Sequence, residues 1–278
     1  MTTAAVILDW LARAGTVIAI VSWIIVFSRR RIRRYRVQSF FGGDRVDVLL
    51  PLRTLDGRTA VSEPDFMTGL ELQRFLTRFG IETRFRFLRP HDPLRLDTPG
   101  TIVVCGPKNS DEVRNAMRRD PVLAFEEDAR GWTLEGGGVR YRSKSDAAAA
   151  LNESAVRGDS STRAESAGLG EPTTPPGERP SNAGTAGDTR SDIGYLSRTL
   201  EAVDDDPERV VVWIAGVHAP GSAIIADRLC RTRSIRTARS LAPEGRFSAV
   251  IGGTYSEDPL TVHTSQRLFF AAHPADPA

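Results

Sequence analysis

"TIVVCGPKNSDEVRNAM" occupies residues 101–117. An apolar run ends at Cys105, Gly106 and Pro107 break it, and an Asn-Ser-Asp-Glu cluster opens a helical pattern that reaches Arg118. The same plan recurs at "VWIAGVHAPGS", residues 212–222. Two runs of strand, Gly, Pro and capping residue predict an α/β fold whose strands feed helices at one edge of a sheet. Asn109 is expected to cap the first helix, with Glu112 three residues on completing a capping box, and Ser222 to cap the second.

The flanking chain continues the rhythm. "RVDVLLPLR" (residues 45–53) reads as a buried strand. "SEPDFMTGLELQRFLTRFG" (62–80) reads as a helix, with Ser62 as cap, Pro64 in the first turn and Asp65 at the capping-box position. "IETRFRFLRP" (81–90) alternates as a strand does. Residues 121–144 hold three short strand-like runs between turn signals, a small β-meander. "DAAAALNES" has the composition of a short helix. Residues 158–192 have no apolar periodicity, and 145–192 as a whole is expected to be a disordered insertion or linker. Beyond it, "IGYLSRTL", "RVVVWIAG", "RFSAVIGG" and "LTVHTSQRLFFA" are strands, with one helix following residue 218. One α/β domain, built from residues 45–144 and 193–272, is the expected organisation.

The amino terminus differs in kind. Residues 14–28, "AGTVIAIVSWIIVFS", carry no charge, and residues 4–13 extend the run. Together they supply the roughly twenty apolar residues a spanning helix needs, so 4–28 is expected to be a transmembrane helix. Asp9 and Arg13 can pair across one turn, and Trp10 and Trp23 are candidate interfacial anchors. Arg29, Arg30, Arg31, Arg33, Arg34 and Arg36 follow within 29–41. A cleaved signal peptide carries its positive charge before the apolar run, not after it. The cluster predicts a single-pass protein of the cell membrane, with its N-terminus out and its body cytoplasmic. It should touch anionic lipid head groups at about 1 kcal/mol per arginine. Residues 42–278 are expected to fold without this segment.

The net charge is +2, but residues 37–278 sum to −4, which argues against nucleic acid as a partner. Only Lys108 and Lys144 are lysines among 37 basic residues, so choosing arginine over lysine carries no message at any one position. Cys105 and Cys230 lack CxxC spacing and read as reduced thiols.

The candidate ligand-binding residues lie in the two turns. Gly216, His218, Gly221 and Ser222 form one wall, and no acid follows until Asp227. Gly106 and Asn109 form the other, where Asp111 and Glu112 crowd the helix start and Lys108 adds a positive charge. Arg53, Asp56 and Arg58 follow the first strand and should share this edge. Neither turn matches GxxxxGK[ST] or GxGxxG. His91, His263 and His273 make no metal spacing. No catalytic residue, metal or cofactor is expected.

The order "VDVLLPLR", "VVCGPKNS", "VLAFEED", "YLSR", "IAGVHAPGSA", "FSAVIGG" resembles an uncharacterised bacterial Rossmann-like sensory domain joined to a membrane helix. The resemblance covers about 45–270 apart from the insertion. It implies a Rossmann-like, mostly parallel sheet and a signalling context, and brings no catalytic residue. The expected function is a membrane-tethered cytoplasmic sensor or interaction domain binding a small, nucleotide-like ligand without catalysis. Two alternatives stand beside it: a nucleotide or nucleoside hydrolase using His218, and a membrane-anchored protein–protein scaffold.

Overall fold

The computed structural model describes residues 3–55, 58–89, 91–128, 131–144, 189–203 and 206–274, with side chains from Val21 onward except at 54–55, 203 and 206–207. Helix α1 (Thr3–Phe41) leads into β1 (Arg45–Pro51), the short hairpin of β2 (Arg53–Leu55) and β3 (Arg58–Ala60), α2 (Glu63–Thr77), β4 (Glu82–Leu88) and β5 (Gly100–Val104). Next come α3 (Asp111–Arg118) and a meander of β6 (Leu123–Asp128), β7 (Gly131–Gly136) and β8 (Val139–Arg142). The chain re-enters as β9 (Arg190–Val203) and β10 (Asp206–Gly216). Helices α4 (Ala219–Leu229) and α5 (Thr232–Leu241), then β11 (Phe247–Ser256) and β12 (Thr261–Ala272), complete it.

Seven strands form one sheet in the order β12-β11-β9-β10-β5-β1-β4. β4, β1, β5 and β10 are mutually parallel, while β10–β9, β9–β11 and β11–β12 are antiparallel. The expected mostly parallel sheet is therefore parallel in only half of its pairings. β9 runs directly into β10, and β11 into β12, without an intervening helix, and such neighbours pair antiparallel. The β5–β10 pairing joins residues before and after the insertion in one sheet.

Both faces are covered, which is why β1 and β5 read as near-continuous apolar runs. Val46, Val48 and Leu50 of β1 and Ile102 and Val104 of β5 face α1, α2, α4 and α5. Val103, Cys105, Val211 and Trp213 face α3 and the meander. Each fully buried aliphatic side chain contributes about 1.5–3 kcal/mol.

Four expectations need correction. Helix α1 is unbroken through 29–41, and Val37, Phe40 and Phe41 enter the core, so that segment is not only a basic linker. Gly42, at φ 95°, ends the helix, and Gly43 N–H reaches back to the Gln38 carbonyl at 2.8 Å, closing a Schellman-type cap. Ser110, not Asn109, caps α3: its Oγ accepts from Val113 N–H at 3.4 Å. Strand β9 begins at Arg190, so residues 190–192 belong to the sheet rather than to the insertion. Finally, α5 escaped the sequence reading because "TRSIRTARSL" buries only Ile235, too sparse an apolar stripe to register. The short helix expected in 146–154 and the rest of the insertion through 188 lie outside the described residues.

Among the described residues, no helix is long and apolar enough to cross a membrane. The side chains of α1 are described from Val21. From there, Val21, Trp23, Ile24, Ile25, Val26 and Phe27 are all exposed, Trp23 at 65%.

Candidate ligand cleft

The parallel strands create the site. β1, β5 and β10 lie side by side and point the same way, so their carboxyl ends open at one edge. β1 leads to α2 and β10 to α4 on one face, while β5, between them, leads to α3 on the other. Neighbouring loops that part to opposite faces leave a crevice above the central strand. Its volume is about 190 Å³, and its walls are Arg53 and Asp65, residues 106–109, Phe125, residues 216–219 and Ser222.

Five of the six residues singled out from the sequence line this cleft: Gly106, Asn109, Gly216, His218 and Ser222. Gly221 does not. A Cβ there would lie 2.5 Å from the Ile193 carbonyl oxygen and 2.8 Å from the Gly216 Cα, so its missing side chain lets α4 press against the sheet. Gly216 is similarly enclosed by its own turn. Only Gly106 has open space, its nearest neighbour being the Gly216 carbonyl oxygen at 3.6 Å.

The roles in the second turn also differ from expectation. His218 occupies the cap position of α4 without a side-chain capping bond. Ser222 lies a turn inside the helix, and its Oγ accepts from Gly216 N–H at 3.1 Å, tying strand end to helix start. The hydroxyl thus holds the turn rather than capping the helix. No acid stands in the first turn of α4 itself; the carboxylate at its start comes from Asp192 of β9, which accepts from His218 N–H.

Three contributors were not legible in the sequence. Asp192, at the start of β9, has a fully buried side chain beneath His218. Its Oδ2 accepts from His218 N–H at 3.2 Å, and its Oδ1 lies 3.2 Å from Nδ1. An acid placed directly before the apolar run "IGYL" was the available signal. Asp65 is the second: beyond its capping role in α2, it meets Arg53 Nη2 at 3.4 Å and the Ser62 hydroxyl at 2.5 Å. Burial raises its pKa, against the opposing effects of Ser62 and Arg53. Phe125 is the third. It comes from the meander and pairs with Trp132 at 4.9 Å, and the Lys108 ammonium sits 5.5 Å over the Trp132 ring.

Basic and acidic groups are paired around the cleft, Arg53 with Asp65 and His218 with Asp192, and Lys108 adds a further cation. The Arg53 side chain is 37% exposed, and its Nε has no hydrogen-bond partner among the described residues. Lys108 and His218 line the same cleft. Asp111 turns away to Arg114 at 3.0 Å and His91 at 3.1 Å, and neither Asp111 nor Glu112 lines the cleft. The Asp56 position lies outside the described residues, and Arg58 sits on the exposed β3. The Cys105 thiol, just below, is pushed up to about 12 by burial, so it supplies no thiolate near neutral pH. The arrangement suits holding a small anion, with a His–Asp pair at its rim. Comparison with protein-family models, curated proteins and solved structures finds no match for this chain.

Proposed function

We propose that this protein is a membrane-tethered, Rossmann-like binding domain that holds a small anionic ligand in the cleft between the β5 and β10 turns, without turning it over. The observation that carries the reading is the convergence of Arg53, Lys108 and His218 on a crevice at the start of α4, whose own first turn holds no acid, with Asp65 and Asp192 engaged by Arg53 and His218. A volume of 190 Å³ is below the roughly 300–1,000 Å³ typical of whole-ligand pockets. It admits a phosphoryl or carboxylate group. The rest of a nucleotide-like ligand would pass over Phe125 into the broad groove between α3 and the meander, about 1080 Å³, which shares Pro107 and Phe125 with the cleft.

The tether is α1. A helix apolar on all sides is normally buried, either in a core or in a bilayer. Residues 21–27 are exposed in this chain, and six arginines follow directly. This supports a single-pass orientation with the body on the cytoplasmic side.

One observation favours a second reading, hydrolysis. His218 with Asp192 at 3.2 Å is the geometry of an oriented general base. Asp192 also bonds the backbone of the same turn, which explains its burial without catalysis. The test is thermal shift of the full chain in detergent with phosphate, phosphomonoesters and nucleotides, with product analysis of every ligand that stabilises. Stabilisation lost in Arg53→Gln and His218→Ala, with ligand recovered intact, is the expected result. Product formation abolished by His218→Ala selects the hydrolase. No stabilisation by any anion overturns the ligand-binding reading and leaves the protein–protein scaffold.

A further inference from the structure

We infer that α5 is a membrane-contacting helix whose Arg233, Arg236 and Arg239 meet the anionic head groups of the bilayer that α1 enters. The inference rests on the membrane reading of α1. Helix α5 carries these three arginines at intervals of three, and no acid within Thr232–Leu241. All three are exposed, while Ile235, with the partly buried Ala238, anchors the helix in the core. Three-residue spacing keeps the arginines on one broad stripe. Residues 37–278 sum to −4, so this stripe is a local reversal of the body's charge and not a sample of it.

Its position gives the stripe a partner. Helix α5 packs beside α1, and Arg239 Nη1 donates to the Arg36 carbonyl at 3.3 Å. Because α1 is unbroken, Arg36 stands about 12 Å along the axis from Ser28, the end of the uncharged run. The head-group layer occupies about 5–8 Å of that distance. Arg239 is then within about one Debye length, 8–10 Å, of the lipid phosphates. The stripe of α5 thus adjoins the basic stretch of α1 at its Arg239 end, close to the proposed point of membrane entry. Charge complementarity selects an anionic lipid surface as the stripe's partner.

The test uses the full chain reconstituted into vesicles of phosphatidylcholine alone or with phosphatidylserine added. Amide hydrogen exchange is followed in peptides spanning 232–241. We expect severalfold slower exchange in the phosphatidylserine vesicles, reversed by high salt and by Arg233→Gln/Arg236→Gln, which leaves the Arg239–Arg36 bond in place. Equal exchange in both lipids, with the chain still resistant to alkaline extraction, overturns the inference while keeping the membrane reading. Release of the chain by alkaline extraction overturns the membrane reading itself, and this inference with it. A variant neutralised at Arg29, Arg30 and Arg31 should keep part of the protection; loss of all of it would assign the lipid contact to α1 alone.

Discussion

Removing the last turn of α1 should unfold the body, although that turn lies just beyond the basic stretch and precedes every strand. Val37, Phe40 and Phe41 are buried, Phe41 completely. Phe40 packs edge-on to Phe41 at 4.9 Å, and Phe41 meets Phe75 of α2 at 6.4 Å. Transfer of three such side chains contributes about 5–9 kcal/mol, against a typical total stability of about 5–15 kcal/mol. A second loss compounds this. Arg198, buried in β9, donates to the Phe40 carbonyl at 2.8 Å, the Ser39 carbonyl at 3.3 Å and the Gly245 carbonyl. It satisfies carbonyls that a helix end leaves open and sits at the negative end of the α1 dipole. Burial, with a smaller effect of Arg239, already brings its pKa down to about 10. Without residues 39 and 40 it would be a buried cation with one partner of three, a strongly destabilising arrangement.

The assay compares fragments 30–278 and 42–278, both lacking the apolar run, by urea unfolding followed with near-ultraviolet circular dichroism. Fragment 30–278 should unfold cooperatively. Fragment 42–278 should lack fixed tertiary signal and bind a hydrophobic dye. Within 30–278, Phe41→Ala should cost about 3–5 kcal/mol. Equal midpoints for the two fragments would refute the reasoning and make α1 a dispensable tether.

Other consequences are smaller in scope. His273, with its side chain 8% exposed, lies 2.8 Å from Ser248 Oγ, 4.0 Å from Asp120 and near Arg246. Burial, aided by Arg246 and opposed by Asp120, lowers its pKa below 6.5, so the fold holds it neutral. The unfolded chain then binds the extra proton, and stability should be full above about pH 6.5 and decline below it; a melting-temperature profile as flat at acid pH as that of His273→Gln would oppose this. Replacing residues 158–188 with a short Gly-Ser bridge should change the melting temperature little, since loop closure changes by only about 0.6 kcal/mol per doubling of length. Ser143 Oγ already reaches the Ser191 carbonyl at 3.3 Å, so the flanking ends are close. Extending the deletion to 192 should lower the melting temperature sharply, because it removes the start of β9 and Asp192. Ser110→Ala should destabilise by about 1 kcal/mol in chemical denaturation, and Asn109→Ala by clearly less; the reverse order would return the cap to Asn109.

Local chemistry made much of this fold readable. The apolar runs of β1, β5 and β10 bury both faces, so their composition alone marked them as strands. The Ser62 cap is contained within four residues and stands as read, although the Asp65 carboxylate bonds the Ser62 hydroxyl and not its N–H. The two Gly-Pro turns announced helix starts, and the parallel pairing of β5 with β10 sets them at one edge. What the sequence could not decide depends on partners distant along the chain. Strand direction in the second half follows from which neighbours pair, not from the run of apolar residues. Asp192 looked like the last residue of a polar linker, and only the β9–β10 pairing brings it under His218. Phe40 and Phe41 looked like the tail of a basic stretch, and only the groove beside α2 and β5 makes them core. Gly221 looked like room for a ligand, and the Ile193 carbonyl fills that room. Periodicity, caps and turns are set within a few residues, so they are written in the sequence; burial, charge pairing and the shape of the cleft are set by contacts across the chain, so they belong to the tertiary structure.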